Sequence, residues 1–321
     1  MKKLVSVIIP VYNEAQNLPA VYERVKRVTA PLDQYHFEMI LIDNGSTDAS
    51  PQICKDFVSR DNNWRYVRFS RNFGIEASFF AGASYSQGDA LIYLFSDLQD
   101  PPEAIPTMLQ KWEEGFDVVY GILTKRADNI IIKTWGSHIA YKLIFFLSDI
   151  TIPINATDFR LLSRPVIDVL KSCKERNRYM RGLTHWAGFK QVGFEFERSP
   201  RKHGNSNNSI WWSIKYALNA MINFSNKPLR LAGLVGFLTM SLSIVGTVIY
   251  ILHLILTKFF GFTYISPPPP GWTTIILLVL FFGGLQTFFL GIIGEYIAQI
   301  QNETKFRPAW IKAETKGFKD S

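Results

Sequence analysis

Two uncharged apolar stretches occupy most of the C-terminal third of the chain, Leu231 to Thr257 and Gly271 to Gly294. Each is longer than the roughly 20 residues that a helix needs to cross a bilayer. A long core helix of a globular protein ordinarily has a polar face, whereas the polar side chains here are hydroxyls, one glutamine and His253. The pattern therefore predicts two transmembrane helices.

Before Pro228 the pattern changes to short, β-branched apolar runs that alternate with helical segments. Five runs predict strands: Leu4 to Pro10, Phe37 to Asp43, Trp64 to Ser70, Ala90 to Ser96 and Asp117 to Tyr120. Between them, Asp48, Ser50 and Pro51 are typical of a helix start. Continuous apolar strands that alternate with helices predict an α/β domain with a mostly parallel, Rossmann-like sheet. Ligands of such sheets bind beyond the carboxyl ends of the strands.

Basic residues flank the two apolar stretches, while the connecting loop carries only Lys258. The flanking residues are Lys215, Lys227 and Arg230 before the first stretch, and Lys305, Arg307, Lys312, Lys316 and Lys319 after the second. This asymmetry predicts a multi-pass protein of the inner (cytoplasmic) membrane, with the N-terminal domain and both termini in the cytosol. The net charge of +8 is then explained by anionic lipids, since no nucleic-acid-binding module is recognisable.

Polar segments follow each of the first four predicted strands. They read PVYNE from Pro10, DNGSTD from Asp43, SRNFG from Ser70 and DLQDPP from Asp97. Taken singly, each is ordinary turn or helix-start chemistry. Together they bring acids, amides and one arginine to a single sheet edge, which favours an anion-binding site.

These motifs carry a resemblance. The segments VIIPVYNE, IDNGSTD, SRNFG and SDLQDPPE, followed by two apolar stretches, resemble the family 2 glycosyltransferases that load a sugar onto a polyprenyl phosphate. Bactoprenol glucosyltransferases and dolichol-phosphate mannose synthase are of this type. The resemblance runs from Val5 to about Pro308 and implies a GT-A-type fold, a nucleotide-sugar donor and a divalent metal, Mg²⁺ or Mn²⁺. It also implies inverting transfer to polyprenyl phosphate for modification of cell-envelope glycans.

The resemblance assigns a role to particular residues. It implies that the donor is bound by Pro10, Tyr12, Glu14, Asp43, Asn44, Arg71 and Asn72. Asp97 would be a catalytic residue and metal ligand, with Gln99 as a second oxygen ligand, while Asp100 caps the following helix. For Glu14 the alternative is an acid in the first turn of a helix.

On the acceptor side, the resemblance assigns catalytic roles to Asp158 and Arg160. Because a lipid phosphate is largely a dianion at neutral pH, Asp158 is expected to orient the nucleophile or to contact the sugar, rather than to remove a proton. A buried structural contact between the two residues is the alternative. The expected phosphate and acceptor contacts are Arg126, Arg201, Lys202 and His203, and a solvated linker is the other interpretation of the last three.

The chain departs from the family pattern at three positions, Phe95, Asn44 and Asn207. Phe95 replaces an acid, so the metal site is expected to depend more on the diphosphate and water. Two other functions stay open. A processive polysaccharide synthase shares the nucleotide-binding half, but the Gln-x-x-Arg-Trp motif is lacking here. A catalytically silent membrane scaffold would account for the three departures.

The predicted domain organisation has four parts. Residues 1–208 form the cytosolic glycosyltransferase domain and 209–228 a juxtamembrane amphipathic segment, in which Trp211 and Trp212 beside Lys215 suit an interfacial helix or a subunit contact. Residues 229–297 hold the two transmembrane helices and 298–321 a basic cytosolic tail. By resemblance, a flippase and a downstream transferase are partners, and a homo-oligomer is possible.

Overall fold

The computed structural model describes residues 2–124, 156–175, 178–198, 227–260 and 272–318. Four predicted phosphate or acceptor contacts, Arg126, Arg201, Lys202 and His203, lie outside the described residues, as does most of the juxtamembrane segment 209–228. The chain forms two compact units, one built on a sheet and one on two long helices.

The first unit alternates strands and helices along the chain. Its elements are β1 (Lys3–Val11), α1 (Leu18–Thr29), β2 (Tyr35–Asp43), α2 (Ser50–Arg60), β3 (Trp64–Phe69), α3 (Ile75–Tyr85), β4 (Ala90–Tyr93), a 3-10 turn (Pro102–Ala104), α4 (Ile105–Glu113), β5 (Val118–Leu123), β6 (Ala156–Ser163), α5 (Arg164–Ser172), α6 (Met180–Trp186), β7 (Gln191–Phe196) and β8 (Lys312–Lys316).

The strands form one sheet in the order β7-β5-β6-β4-β1-β2-β3-β8. Strands β4, β1, β2 and β3 run parallel, as do β5 and β7. β6 is antiparallel to β4 and β5, and β8 is antiparallel to β3. The predicted α/β class with a mostly parallel sheet is confirmed, and each of the five predicted strands is present with shifted ends. β6, β7 and β8 were not predicted.

Packing on the sheet follows from the apolar periodicity of the helices. In α1 the buried residues Leu18, Val21, Tyr22 and Val25 recur at helical spacing and turn one face to the sheet. The ring of Tyr22 lies 4.9 Å from that of Trp64, the first residue of β3, between ring centroids. The predicted start of α2 is confirmed: the helix begins at Ser50, and Asp48 Oδ1 accepts a hydrogen bond of 3.0 Å from the Ser50 N–H.

The second unit consists of α7 (Lys227–Phe260) and α8 (Trp272–Thr304). Among the residues that the structure describes, one helical stretch, Phe281–Thr304, is long and apolar enough to span a bilayer. Leu229–Thr239 is a shorter apolar stretch.

The expected basic tail, residues 298–321, differs from its prediction. Its first residues continue α8 to Thr304, and β8 then adds a strand to the edge of β3. The polar, charged sequence of β8 hides this role because an edge strand needs no apolar face. Its backbone pairs with β3, and its side chains form surface contacts, such as that between Lys55 Nζ and Glu314 Oε2 at 2.8 Å.

Candidate active site

The loops after β1 and β2 are joined by hydrogen bonds at the carboxyl edge of the sheet. The side-chain oxygen of Asn13 accepts from the Thr47 N–H at 2.8 Å, and the Asn13 N–H donates to Ser46 Oγ at 3.0 Å. Asn13 has a left-handed backbone with φ of 56°, a conformation that asparagine tolerates better than most residues. These hydrogen bonds therefore hold the two loops together at the edge of the sheet.

Asp43 anchors the second loop from a fully buried position. One carboxylate oxygen accepts from the Ser46 N–H at 2.8 Å, and the other accepts from the Tyr66 hydroxyl at 2.8 Å. Arg68 Nε lies 3.4 Å from the second oxygen. Burial and the Asp43 charge raise the pKa of Tyr66, so its hydroxyl stays a donor. Asp43 is thus held rigidly beneath the loop.

Asn44 and Gly45 join the second loop to the third. The buried Asn44 amide oxygen accepts from the Phe73 N–H at 2.8 Å. Gly45 has φ of +76°, and a Cβ at this position would lie 2.5 Å from the backbone carbon of Arg71. Only glycine fits such a close approach in this conformation. These contacts support the part of the third loop that contains the predicted donor residues Arg71 and Asn72.

Arg71 and Asn72 of the third loop are both exposed but make different contacts. Arg71 is exposed, and its guanidinium carbon lies 4.2 Å from the centroid of the Phe73 ring. The Asn72 side-chain oxygen accepts from the Gly74 N–H at 2.8 Å, which closes the turn. Arg71 therefore presents its charge at the sheet edge, while Asn72 shapes the loop.

The first loop contributes one exposed aromatic ring. Tyr12 is 43% exposed, whereas Pro10 is buried at the end of β1. Glu14 is half-buried and accepts a hydrogen bond of 2.6 Å from the Asn17 side-chain amide. Tyr12 is consequently the side chain of this loop with a free face for a planar ligand, and Glu14 borders the start of α1.

Asp97 follows β4 on a segment that is tied to β1. Ser96 Oγ donates to the Pro10 carbonyl at 2.8 Å, and Asp97 Oδ1 accepts from the Gln99 N–H at 3.1 Å. Leu98 between them has a left-handed backbone with φ of 57°. Phe95, in place of the family acid, packs edge-on against Phe79 of α3 with centroids 5.7 Å apart. This segment therefore holds Asp97 half-buried at the edge of the site.

The side chains of this segment fit a hard dication. Asp97 and Gln99 offer oxygen ligands, which Mg²⁺ and Mn²⁺ prefer. Within the described residues, no group of three or more His, Cys, Asp or Glu side chains is placed to hold a metal ion. Mg²⁺ commonly binds one or two carboxylates and completes its shell with water and substrate phosphates. Asp97 and Gln99 therefore suit a metal ion that takes most of its other ligands from a diphosphate and water.

Asp158 is bound by an arginine that was not predicted. Arg181 donates from Nε and a terminal nitrogen to the two Asp158 oxygens at 2.7 and 2.6 Å. Arg160 lies 3.5 Å from the same carboxylate. Burial alone would raise the pKa of Asp158, but Arg181 and then Arg160 and Arg198 hold it below its usual value. Asp158 is therefore an ionised carboxylate.

Arg160 is 2% exposed and lies behind Asp158. Its terminal nitrogens donate to Thr184 Oγ1 at 2.6 Å and to the Thr157 carbonyl at 2.9 Å, and its Nε has no partner among the described residues. Burial lowers the pKa of Arg160, although the Asp158 charge opposes the shift. Because Arg160 is buried, it can support Asp158 from the interior but cannot present its charge at the surface.

Asp100 lies close enough to Asp97 and Asp158 to be affected by their charges. Its side chain is fully buried, and Arg198 donates to Oδ1 from two nitrogens at 3.0 and 2.9 Å. Its Oδ2 has no partner among the described residues. Burial raises the pKa of Asp100 to about 6 against the effect of Arg198, and the charges of Asp97 and Asp158 add to the rise. The expected helix cap is wrong, since the following turn has no side-chain cap and Arg198 takes the carboxylate.

The sheet register brings these groups together. Arg160 of β6 is paired with Tyr93 of β4, so Asp158, two residues earlier in an antiparallel strand, lies beside the segment that leads to Asp97. The charges of Asp97 and Asp158 both act on the Asp100 carboxyl and contribute to its raised pKa. Positive charge from Arg160, Arg181 and Arg198 offsets them.

Glu76 is a further acid that was not predicted. It stands in the first turn of α3, and its carboxylate accepts a hydrogen bond of 3.0 Å from the Met180 N–H at the start of α6. Burial, followed by the charge of Asp158, raises the pKa of Glu76 to about 8. Neither Glu76 nor Arg181 belongs to a motif at a strand end, so only the tertiary packing of α3 and α6 reveals them.

A Rossmann-like sheet whose strand ends gather carboxylates, amides and an arginine defines a GT-A-type α/β transferase domain. The chain belongs to glycosyl transferase family 2, whose sequence pattern matches residues 6–170. This confirms the predicted resemblance.

Three relatives are similar over nearly their whole length. The uncharacterized glycosyltransferase YkcC of Bacillus subtilis is 36% identical, with 98% of this chain and 95% of that protein covered. The prophage bactoprenol glucosyl transferase homolog of Escherichia coli is 34% identical, covering 97% and 99%. The bactoprenol glucosyl transferase of Shigella phage SfV is 34% identical, covering 96% and 97%.

Solved structures are more distant. Glucosyl-3-phosphoglycerate synthase from Mycobacterium tuberculosis aligns with a TM-score of 0.44 and 15% identity, over 68% of this chain and 78% of that one.

Proposed function

We propose that this protein transfers one sugar from a nucleotide sugar to polyprenyl phosphate, with inversion at the anomeric carbon. The observation that carries the proposal is the similarity to proteins named bactoprenol glucosyl transferase, which spans 96–97% of this chain and so includes its two long helices. A relative that shared only the nucleotide-binding half would support sugar transfer in general. Similarity through the helices supports a lipid acceptor.

The donor would bind across the first three loops. The exposed Tyr12 ring suits stacking on a base, and the rigid Asp43 frame supports hydrogen bonds from the nucleoside. Pro10, Glu14 and Asn44 shape that frame, while the exposed Arg71 offers charge to the diphosphate. Asn72 would act through the turn that it closes.

Asp97 would act where negative charge builds on the departing nucleotide. We propose that Asp97 and Gln99 hold Mg²⁺ or Mn²⁺, which as a Lewis acid stabilises the diphosphate leaving group. The polar backbone contacts of the segment fix the direction of the Asp97 carboxylate before substrate arrives. Such preorganised electrostatics ordinarily contributes more to catalysis than flexible groups do.

Asp158 would orient the acceptor. Its ion pairs keep it charged, and a phosphate dianion is nucleophilic without a strong base. In the proposed step, a phosphate oxygen bonds to the anomeric carbon as the bond to the nucleoside diphosphate breaks, and no net proton transfer is needed. Arg160 would support Asp158, and Arg126, Arg201, Lys202 and His203 would contact the phosphates.

The membrane arrangement proposed is two transmembrane helices within residues 229–297. Helices α7 and α8 have 34 and 33 residues, each more than the roughly 20 needed to span a bilayer. Since β8 belongs to the same sheet as β1, the chain before α7 and the chain after α8 would lie on one side of such a membrane. An even number of crossings follows, and the basic flanks assign that side to the cytosol of an inner membrane.

The remaining organisation stays as predicted from the sequence. Residues 1–208 would be the catalytic domain and 209–228 an interfacial segment, whereas 298–321 now includes β8 and so serves the catalytic domain. A lipid-linked sugar made at the cytosolic face must reach the other face before it can modify an envelope glycan, which requires a flippase and a second transferase. A homo-oligomer remains a prediction.

The test uses membranes that contain the full chain, a panel of labelled nucleotide sugars with Mg²⁺ or Mn²⁺, and polyprenyl phosphate. One donor should give a label that extracts with lipid, and Asp97→Ala should abolish it. Asp168→Asn, which removes an exposed carboxylate on α5, is the control and should keep wild-type activity. Undiminished product from Asp97→Ala would refute the role of Asp97, and no lipid-linked label from any donor would refute the function.

A further inference from the structure

The C-terminal strand reaches the loop that contains Arg71 and Asn72. The Ile311 carbonyl accepts a hydrogen bond of 2.9 Å from the Ser70 N–H, at the point where β3 ends and this loop begins. The ring of Trp310 stacks on that of Phe69 with centroids 6.2 Å apart and an interplanar angle of 21°. The segment just before β8 therefore touches the base of the loop.

A line of aromatic contacts continues from Trp310 into the loop. Phe69 meets Phe73 edge-on with centroids 5.9 Å apart, and Arg71 lies over the Phe73 ring at 4.2 Å. Offset and edge-on aromatic pairs have preferred geometries, so displacing one ring disturbs the next. The position of Arg71 thus depends on Phe73, which in turn rests on Phe69 and Trp310.

Two separate segments of the chain hold the loop. In one, the Asn44 amide accepts from the Phe73 N–H. The other contains Trp310 and Ile311, next to a register shift between Arg68 and Phe69 in the β3–β8 pairing. A regular ladder would continue both strands straight on, whereas the irregularity lets β3 leave the sheet and turn into the loop.

We propose that Trp310 is a positioning residue for the donor, because it fixes the Arg71–Asn72 loop through Phe69 and Phe73. This inference rests on the proposed function, in which that loop binds the nucleotide sugar. It assigns the segment after α8 a role in donor affinity.

The rival explanation is that β8 only covers the edge of β3, as edge strands often must be covered. Under that explanation, both ends of β8 contribute to stability and neither affects the donor. The other end supplies a matched comparison, since Phe318 packs on Tyr85 at 5.2 Å and lies 5.5 Å from the Arg65 guanidinium. Phe318 lies at the end of the strand away from the loop.

The experiment measures kcat and donor KM of the full-length protein in detergent, with UDP-glucose, Mg²⁺ and polyprenyl phosphate, for Trp310→Ala, Trp310→Phe and Phe318→Ala. Thermal unfolding of each variant is recorded alongside. We expect Trp310→Ala to raise the KM for UDP-glucose by roughly two- to tenfold, the range that an aromatic pair accounts for, while kcat changes less. Trp310→Phe should restore most of the affinity.

Phe318→Ala should lower the unfolding temperature to a similar degree and leave the KM unchanged. Equal KM values for Trp310→Ala and Phe318→Ala would overturn the proposal, as would a loss confined to kcat. If Trp310→Ala does not fold, Trp310→Leu, which keeps apolar volume without the stacked ring, decides in the same way. If the wild type does not use UDP-glucose, the same variants are compared with the donor of the panel that it does use. A wild-type protein that is inactive with every nucleotide sugar of the panel would count against the proposed function, whereas an active wild type with unaltered Trp310 variants would count against this inference alone.

Discussion

Asp158 keeps its negative charge because Arg181 binds both of its carboxylate oxygens from a neighbouring helix. Its lowered pKa stabilises the folded protein above the ordinary carboxyl pKa of about 4, and this contribution is lost as the pH falls through the lower folded-state value. Removing Arg181 would leave a charge in a site where little of Asp158 is exposed.

Arg181→Ala should therefore lower the free energy of unfolding at pH 7 by about 1–3 kcal/mol, the usual cost of leaving a buried polar group without its partner. It should also move the acid loss of stability to higher pH, because Asp158 no longer has its strongest ion pair. Denaturant unfolding at several pH values checks both effects. Arg181→Lys keeps the charge without the two-pronged contact and should recover part of the loss; an unchanged acid limb in Arg181→Ala would contradict the explanation.

The pKa of Glu76 is shifted in the opposite direction to that of Asp158, so Glu76 affects the pH dependence of stability in the opposite sense. A carboxyl whose pKa is raised to about 8 binds its proton more tightly in the folded state, so its contribution to stability falls as the pH rises from about 4 to about 8. Glu76→Gln keeps an oxygen that can accept from the Met180 N–H but cannot ionise. Its unfolding temperature should change less between pH 5 and 8 than that of the wild type. The exposed Glu114→Gln is the control, and identical pH dependence in all three proteins would contradict the assignment.

At the scale of residues, the family pattern pointed to Asp97, which follows β4, and to Asp158, which lies within β6, but not to the side chains that contact these acids. Asp97 and Asp158 stand in segments whose order matches a known pattern. Arg181, Glu76 and the pairing of Asp100 with Arg198 arise from contacts between elements far apart in the chain, which no local spacing encodes.

At the scale of elements, the loops after β2 and β3 are in direct contact, through the hydrogen bond from Phe73 to Asn44 and the close approach of Gly45 to Arg71. Gly45 and Gly115 both have positive φ, of +76° and +92°, but a Cβ on Gly45 would collide with Arg71 backbone atoms, whereas a Cβ on Gly115 meets nothing within 4 Å. A substitution at Gly115 therefore tests backbone strain alone, whereas one at Gly45 tests backbone strain together with displacement of the loop that contains Arg71.

Gly115→Ala should cost about 1–2 kcal/mol of unfolding free energy, the penalty for a left-handed alanine. Gly45→Ala should cost more, because it adds the collision, and should also weaken donor binding. Chemical denaturation and donor KM measure the two effects. Equal costs and equal KM values for the two variants would show that the close approach to Arg71 is unimportant.

Strands were predicted correctly where the apolar run is continuous, and they were missed where a strand forms only because it pairs with a neighbouring strand. β1 to β5 are apolar and were predicted, whereas β8 has the sequence KAETK and forms a strand only because β3 offers an open edge. β6 was missed since the charged residues Asp158 and Arg160 interrupt its apolar pattern. β6 and β8 thus depend on their partner strands rather than on local propensity.

For the whole molecule, the proposed pair of transmembrane helices and the pairing of β8 with β3 together predict that both termini lie on the same side of the membrane. Tags at the N-terminus and the C-terminus should both be protected from external protease in intact cells and both be cleaved in inverted vesicles. A cysteine placed between α7 and α8 should be labelled from the opposite side. Opposite sidedness of the two tags would contradict an even number of crossings.

The central claim is that one sugar is transferred to polyprenyl phosphate, and mass spectrometry of the lipid product tests it most directly. Purified protein incubated with Mg²⁺, polyprenyl phosphate and each nucleotide sugar of the panel in turn should yield, with one donor, a species heavier than the acceptor by a single hexose, and Asp97→Asn should yield none. A ladder of products with several hexoses would point to a processive synthase. Unmodified polyprenyl phosphate with every nucleotide sugar of the panel would contradict the claim.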